Sequence, residues 1–146
     1  MDIEIRPFNL LETHMLYEIL KLRCDVFIVE QSCPYADCDG KDNEAYHLAV
    51  TENGELAAYC RILNKNVSFD TVAIGRFVVQ PKFRGLGLAN KMLESAIDFI
   101  KSKLGESHIK LSAQEYLVNF YGSFGFKPIS ESYDEDGISH VDMELK

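Results

Sequence analysis

The stretch Val78-Val79-Gln80-Pro81-Lys82-Phe83-Arg84-Gly85-Leu86-Gly87-Leu88-Ala89-Asn90 decides how this chain is read. An apolar run from Thr71 to Val79, broken by Gly75 and Arg76, leads into it. That run has the β-branched and aromatic character, and the length, of a buried strand. Pro81 cannot donate to a ladder and ends the strand. Beyond Ala89 the apolar residues fall at Met92, Leu93, Ala96, Ile97, Ile100 and Leu104, the spacing of one helix face. Arg84 to Ala89 therefore forms a strand-to-helix turn, and the helix begins inside it. Gly85 and Gly87 lack the Cβ atoms that would keep a ligand from the backbone. The first N–H groups of a helix have no internal partner and sit at the positive end of its dipole. The expected guest is an anion, most often phosphate.

Other glycine loops fit less well. A Walker A loop ends in Gly-Lys-Ser/Thr, whereas this chain has Gly87-Leu88-Ala89. A dinucleotide fingerprint places Gly or Ala where Asn90 stands, and the acidic residue that follows, Glu106, lies past the helix rather than at the end of a second strand. A plain glycine turn remains the alternative.

Arg84-Gly85-Leu86-Gly87-Leu88-Ala89 resembles Q/R-x-x-G-x-G/A, the pyrophosphate-binding motif of the GNAT family of acyl-CoA N-acyltransferases. Asn119-Phe120-Tyr121-Gly122-Ser123-Phe124-Gly125-Phe126 is similar to that family's second motif, a helix bearing Asn and Tyr and ending in Gly-Phe. Leu22 to Gln31, Cys33-Pro34-Tyr35, Asp39-Gly40 and Glu135 to His140 resemble the family's ElaA-type branch. The resemblance implies an α/β fold with a mixed, partly antiparallel central sheet flanked by helices. It implies acetyl-CoA as co-substrate and a small-molecule or peptide amine as acceptor. Backbone N–H groups of Gly85, Leu86, Gly87, Leu88, Ala89 and Asn90, with the Arg84 guanidinium, would hold the pyrophosphate. The strand-end backbone of Val78 and Val79 would pair with the pantetheine arm. Asn119 would bind the cofactor, and Tyr121 would bind it and protonate the departing thiolate. Lys82 and Lys91 either add charge there or are ordinary solvated lysines.

The general base stays open among Glu30, Glu44, His47, Glu115, Asp136 and His140; of these Glu30, His47, Asp136 and His140 are the acceptor-site candidates. A lysine-like amine, pKa ~10.4, must lose a proton before it can attack.

The 146 residues suffice for one domain, 1–146, with its own core. A net charge of −8 argues against nucleic acid as partner. No apolar run approaches the length of a membrane span, and Met1-Asp2-Ile3-Glu4 has neither the basic start nor the apolar segment of a signal peptide. A cytoplasmic location, no membrane partner and four reduced cysteines (Cys24, Cys33, Cys38, Cys60) are expected. Cys33 and Cys38 near His47 lack the second pair of a zinc site, so no metal is expected. A homodimer is compatible with the sequence. From Glu30 to Glu55 there are seven acids and one lysine, from Arg76 to Lys110 seven basic residues and three acids, and from Glu131 to Asp136 four acids and no base. With the basic half facing phosphates, the acidic segments should draw in a cationic amine.

Along the chain, Ile3 and Ile5 make a short strand ending near Pro7, and Thr13 N-caps a helix of roughly 15 residues running towards Glu30. Ser32 to Asn43 reads as a loop. His47–Thr51 and Leu56–Ile62 flank Asn53-Gly54, a hairpin signal. Ile109–Ala113 is a strand, a helix starts near Glu115, and Phe126–Ile129 pairs with His140–Leu145 across an acidic loop, Glu131 to Gly137. The strand–helix–strand crossover at the centre implies one parallel pairing, right-handed. The rival functions are a non-catalytic acyl-CoA-binding module or sensor, and a nucleotide-phosphate binder.

Overall fold

Alternation of Ile3 and Ile5 with charged residues makes β1, Asp2–Pro7, an edge strand of the computed structural model, which describes Met1–Lys146. β2 (Ala45–Glu52) and β3 (Glu55–Leu63) form the expected hairpin. Its turn residues Asn53 and Gly54 have φ of 51° and 79°, the left-handed pair that matches strand twist. β4 is Val72–Val79, β5 Ile109–Gln114, β6 Lys127–Pro128, β7 Tyr133–Glu135 and β8 Ile138–Leu145. The sheet runs β1-β2-β3-β4-β5-β8-β6, with β7 also on β8. Only β4–β5 is parallel; every other pair is antiparallel. The expected mixed α/β sheet with flanking helices is the observed fold.

Helix α1 (Thr13–Arg23) lies on one face of the sheet and α2 (Leu88–Ser102) on the other. Ile19, Leu22 and Val26 pack with Ala49, Tyr59 and Val78. Met92, Leu93, Ala96 and Ile100 pack with Leu48, Cys60 and Ile62. Neighbouring strand residues thus feed opposite cores, which is why β3 reads as a continuous apolar run: both of its faces are covered. No helix is long and apolar enough to cross a membrane.

Several boundaries differ from the sequence expectations. Thr13 is the first helical residue rather than the N-cap; Glu12 holds that place, without a side-chain cap. The helix continues from Cys24 to Glu30 as a wider π-type coil, which rotates Glu30 off the α-helical course. The acidic segment 131–137 is no simple loop. It contains β7, and Asp136 and Gly137 (φ 55° and 84°) make a second left-handed hairpin turn. Helix α3 (Val118–Gly122) is shorter than expected, preceded by a single tight turn at Glu115–Leu117. Gly125, with φ of 98°, lies in the turn beyond its end, where an added Cβ would stand 3.1 Å from Leu145 Cδ1.

Candidate active site

β4 and β5 pair only through Val72–Ile109 and Ala73–Lys110. Beyond Ala73 the strands part, so the β4 edge from Ile74 to Val79 has no strand on that side, and a cleft of about 1160 Å³ opens along it. Val78 and Val79 line it, as does the turn that follows. A β-bulge helps to open it. The β3–β4 register breaks between Tyr59 and Arg61, opposite Arg76, whose φ of 50° is left-handed. That conformation costs a non-glycine residue ~1–3 kcal/mol and persists only if its surroundings hold it.

The turn is built as the sequence predicts. Gly85 and Gly87 each have φ of 80°. The six consecutive backbone N–H groups from Gly85 to Asn90 find no backbone acceptor, and the α2 N-cap has no side-chain hydrogen bond. Such a concave run of donors at a helix N-terminus suits a diphosphate. A Cβ added at Gly85 or Gly87 would meet nothing within 4 Å, so the glycines serve the left-handed backbone and an open approach rather than packing. Arg84, the expected phosphate ligand, is engaged within the chain. Its Nη1 and Nη2 donate to the two carboxylate oxygens of Glu30 at 2.7 and 2.8 Å, and its Nε donates to Val79 O at 3.1 Å. Arg84 thus joins the turn to the π-type coil. Its hydrogen bonds hold the Glu30 carboxyl below its usual range, and the carboxylate raises the guanidinium in return. Leu86 is exposed, lies outside the cleft and brings only its N–H.

Tyr121 lines the cleft from α3, wedged among Phe77, Phe120 and Phe126 with ring centroids 5.8, 5.2 and 6.0 Å away. Burial raises its phenol well above the ordinary value, so the hydroxyl keeps its proton at any working pH. The hydroxyl has no hydrogen-bond partner in the chain but is not sealed in, which leaves it open to the cleft. Asn119, on the same helix, is exposed and does not line the cleft.

A buried ionic network, unforeseen from sequence, holds the 32–43 loop. Arg23, with no exposed surface, donates from Nε to Asp37 Oδ2 (2.8 Å), from Nη2 to Asp37 O (2.9 Å) and from Nη1 to Asp42 (2.8 Å). Arg61 is bidentate on Asp39, at 2.8 Å each, and reaches Asp42 at 2.9 Å. Arg76 donates to Asp37 O (3.0 Å) and Asp39 (3.3 Å), and its guanidinium lies 5.5 Å from the Tyr35 ring centroid. These contacts hold the strained bulge. They also neutralise most of the acidic half: Glu30 pairs with Arg84, Glu55 with Lys82 (2.6 Å) and Glu52 with the N-terminal amine (3.9 Å). The expected acidic field from 30–55 is therefore largely cancelled, with only Glu44 left without a cationic partner there, whereas Glu131, Asp134 and Asp136 have none. The only sequence signal was charged residues in apolar settings, Arg61 within β3 and Arg76 within β4.

Of the acceptor-site candidates, Glu30, Asp136 and His140 line the cleft and His47 does not. His47 is buried, with Nδ1 on Tyr59 OH (2.6 Å) and Nε2 on Asp42 O (2.8 Å); burial lowers its pKa, and the ring is structural. Glu44 and Glu115 are also absent from the lining, and Glu115 accepts from Ser139. Cys33 does line it, its thiol donating to Asp136 O at 3.1 Å. No group of three or more His, Cys, Asp or Glu side chains is placed to hold a metal ion.

A sheet split beside a turn of unpaired N–H groups is the architecture of the acyl-CoA N-acyltransferases, and the profile of the Acetyltransferase (GNAT) domain matches residues 22–146: the chain belongs to the GNAT family and is a GNAT-type N-acetyltransferase. Among its relatives, Protein ElaA of Escherichia coli (strain K12) is 41% identical over 135 residues, covering 91% of this chain and 88% of ElaA. The crystal structure of E. coli ElaA superposes with a TM-score of 0.92 at 37% identity, covering 99% of each chain. That of an acyl-CoA N-acyltransferase from Pseudomonas aeruginosa superposes with a TM-score of 0.93 at 35% identity over 100% of each.

Proposed function

We propose that this chain, as one N-acetyltransferase domain spanning residues 1–146, transfers an acetyl group from acetyl-CoA to an amine by direct attack within a ternary complex. The observation that carries the reading is the run of unpaired N–H groups from Gly85 to Asn90 beside the unpaired β4 edge. The N–H run would hold the pyrophosphate, and the free edge of Val78 and Val79 would take the pantetheine arm as an added strand. Acetyl-CoA supplies an activated thioester; the chain orients it and excludes water. The Tyr121 hydroxyl would donate to sulfur as negative charge develops there. A thiol, pKa ~8.5, is a stronger acid than a buried phenol, so this help is first a hydrogen bond to the leaving sulfur and only then a proton. A covalent acyl-enzyme on Cys33 is disfavoured because its thiol donates to a backbone carbonyl and has no base beside it. The unpaired Tyr121 hydroxyl speaks for catalysis over a non-catalytic acyl-CoA sensor. Four free thiols suit a reducing cytoplasm.

The test is free-thiol release from acetyl-CoA against polyamines, amino acids, aminoglycosides and peptides, with calorimetry on Gly87→Val. A side chain at a left-handed φ of 80°, projecting where the ligand approaches, should abolish CoA binding while far-ultraviolet circular dichroism keeps its native shape. Unchanged CoA affinity in a folded Gly87→Val protein would sink the reading.

Glu30→Gln gives a second expected result. Arg84 can turn to phosphate only by leaving Glu30, and an exposed pair of this kind is worth ~0.2–1 kcal/mol. The substitution should therefore tighten CoA binding by up to about fivefold. Weaker binding would mean that the ion pair organises the turn rather than competing with the ligand.

A further inference from the structure

We propose that His140 is the general base for the acceptor amine and that Glu135, beside it, holds that amine as a cation until it is deprotonated. This rests on the acetyl-transfer reading of the same cleft. His140 is nine-tenths buried on β8, lines the cleft and has Nδ1 2.8 Å from Ile138 O. A carbonyl only accepts, so Nδ1 carries the hydrogen and Nε2 is left with its lone pair. Nε2 makes no hydrogen bond within the chain; Glu135 Oε2 stands 3.6 Å away across the β7–β8 hairpin. The imidazole stacks on Tyr133 with centroids 6.1 Å apart and planes at 25°. Tyr133 is itself fixed by its hydroxyl, which donates to Asp142 at 2.6 Å and meets the Ser112 hydroxyl.

A lone pair and a carboxylate facing each other are two acceptors without a donor. A protonated amine, with several N–H groups, satisfies both. Of the other candidates, Glu30 is committed to Arg84, His47 to Tyr59 and Asp42, and Glu115 to Ser139; Glu44 lies outside the cleft, and Asp136, which lines it, offers a carboxylate, by nature a far weaker base than an imidazole. The groups around His140 are Glu135 and Tyr133 of β7, Asp136 at the hairpin turn, Asp142 on its own strand, Gln114 opposite it on β5, and Glu115 just beyond Gln114. None is a cation that would compete with a protonated amine for this corner of the cleft. The ammonium nitrogen sheds two protons in all. One passes to His140 Nε2 and on to solvent. The other leaves as the N–C bond forms and the C–S bond breaks, and it balances the thiolate, reprotonated through the Tyr121 hydroxyl.

The experiment compares wild type, His140→Gln and Glu135→Gln in thiol release with two probes: 1,4-diaminobutane, a dication at pH 7.5, and hydroxylamine, mostly unprotonated there, with the uncatalysed rate subtracted. His140→Gln should lose about 10²–10⁴ in kcat/KM with the diamine, together with the acid limb of its pH profile, yet stay within roughly threefold of wild type with hydroxylamine. Glu135→Gln should raise KM for the diamine only. Equal losses with both probes, or a retained acid limb, would assign His140 a structural role and overturn the proposal. Nitrogen-15 NMR tests it without turnover: the neutral ring should show the Nδ1–H tautomer, and diaminobutane should shift the Nε2 resonance. An Nε2–H tautomer or an unmoved resonance overturns it. Failure of the wild-type protein to bind acetyl-CoA would instead remove the underlying acetyl-transfer reading.

Discussion

Replacing Tyr121 with phenylalanine should lower kcat by roughly 10²–10⁴ and leave acetyl-CoA affinity nearly unchanged, the range by which a positioned acid typically speeds a reaction. The ring stays in place because its contacts with Phe77, Phe120 and Phe126 are aromatic and the hydroxyl bonds to nothing in the chain. Deleting it therefore leaves no orphaned partner in the core, and folding stability should hold within about 1 kcal/mol, the low end of hydrogen-bond and desolvation effects. The split between kcat and affinity is the decisive reading, obtained from steady-state kinetics and calorimetry on the same preparations. A kcat within about threefold of wild type would make Tyr121 a core aromatic whose position at the cleft has no bearing on the leaving sulfur.

The largest loss of stability should come from Arg23→Met. The side chain has no exposed surface, and its removal takes two hydrogen bonds from Asp37, itself buried and left with Tyr35 and Arg76, and one from Asp42. Breaking one side of a buried pair costs ~3–5 kcal/mol, and the partners that Asp37 and Asp42 keep in Arg76, Tyr35 and Arg61 put the expected loss at the low end, about 3 kcal/mol. At ~2–4 °C per kcal/mol for a chain of this size, Tm should fall by about 6–12 °C in a calorimetric scan. Lys21→Met, which breaks the exposed pair with Asp25 one turn earlier, should move Tm by almost nothing. The same network sets a pH dependence. Burial pushes Asp39 and Asp42 up, but hydrogen bonds from Arg61 to Asp39 and from Arg23 to Asp42 outweigh it and hold both carboxyls below their usual range. Their stabilisation is complete above the unfolded value of ~3.9 and is lost as pH falls through the depressed folded values. A Tm that stays level from pH 5 to pH 2 would contradict the network as described.

The parts of the site carried by local chain chemistry could be read directly. The glycine turn, the strand before it and the helix after it are a contiguous problem. Proline, left-handed glycines and helical spacing each act over a few residues, and the structure differs there by small margins: the strand starts at Val72, a single tight turn forms at Pro81–Phe83, and α2 ends at Ser102, short of Leu104. The Asn53-Gly54 hairpin is local in the same sense. At 131–137 the acidic composition reads as a solvated loop, whereas the segment holds β7 and a hairpin turn. Tyr133 and the Asp136-Gly137 pair have strand and turn character, and β8 offers the edge that makes them a strand.

Some assignments depended on residues far apart in sequence. Arg84 meets Glu30 across 54 positions, Cys33 meets Asp136 across 103, and Gln31 pairs with Gln114 across 83. Charge counting could not foresee that the aspartates of 37–42 are neutralised by three arginines from α1, β3 and β4, since pairing depends on where the sheet brings each element. Most of the elements, the conformation of the glycine turn and the resemblance to the family were determined by the sequence itself, through periodicity, backbone conformational preference and motif. Which histidine is structural and which faces the cleft was decided only by the tertiary structure. His47 and His140 are alike in sequence context, each on a strand beside acidic residues. Their roles diverge because folding supplies partners for both ring nitrogens of His47 and for only one of His140.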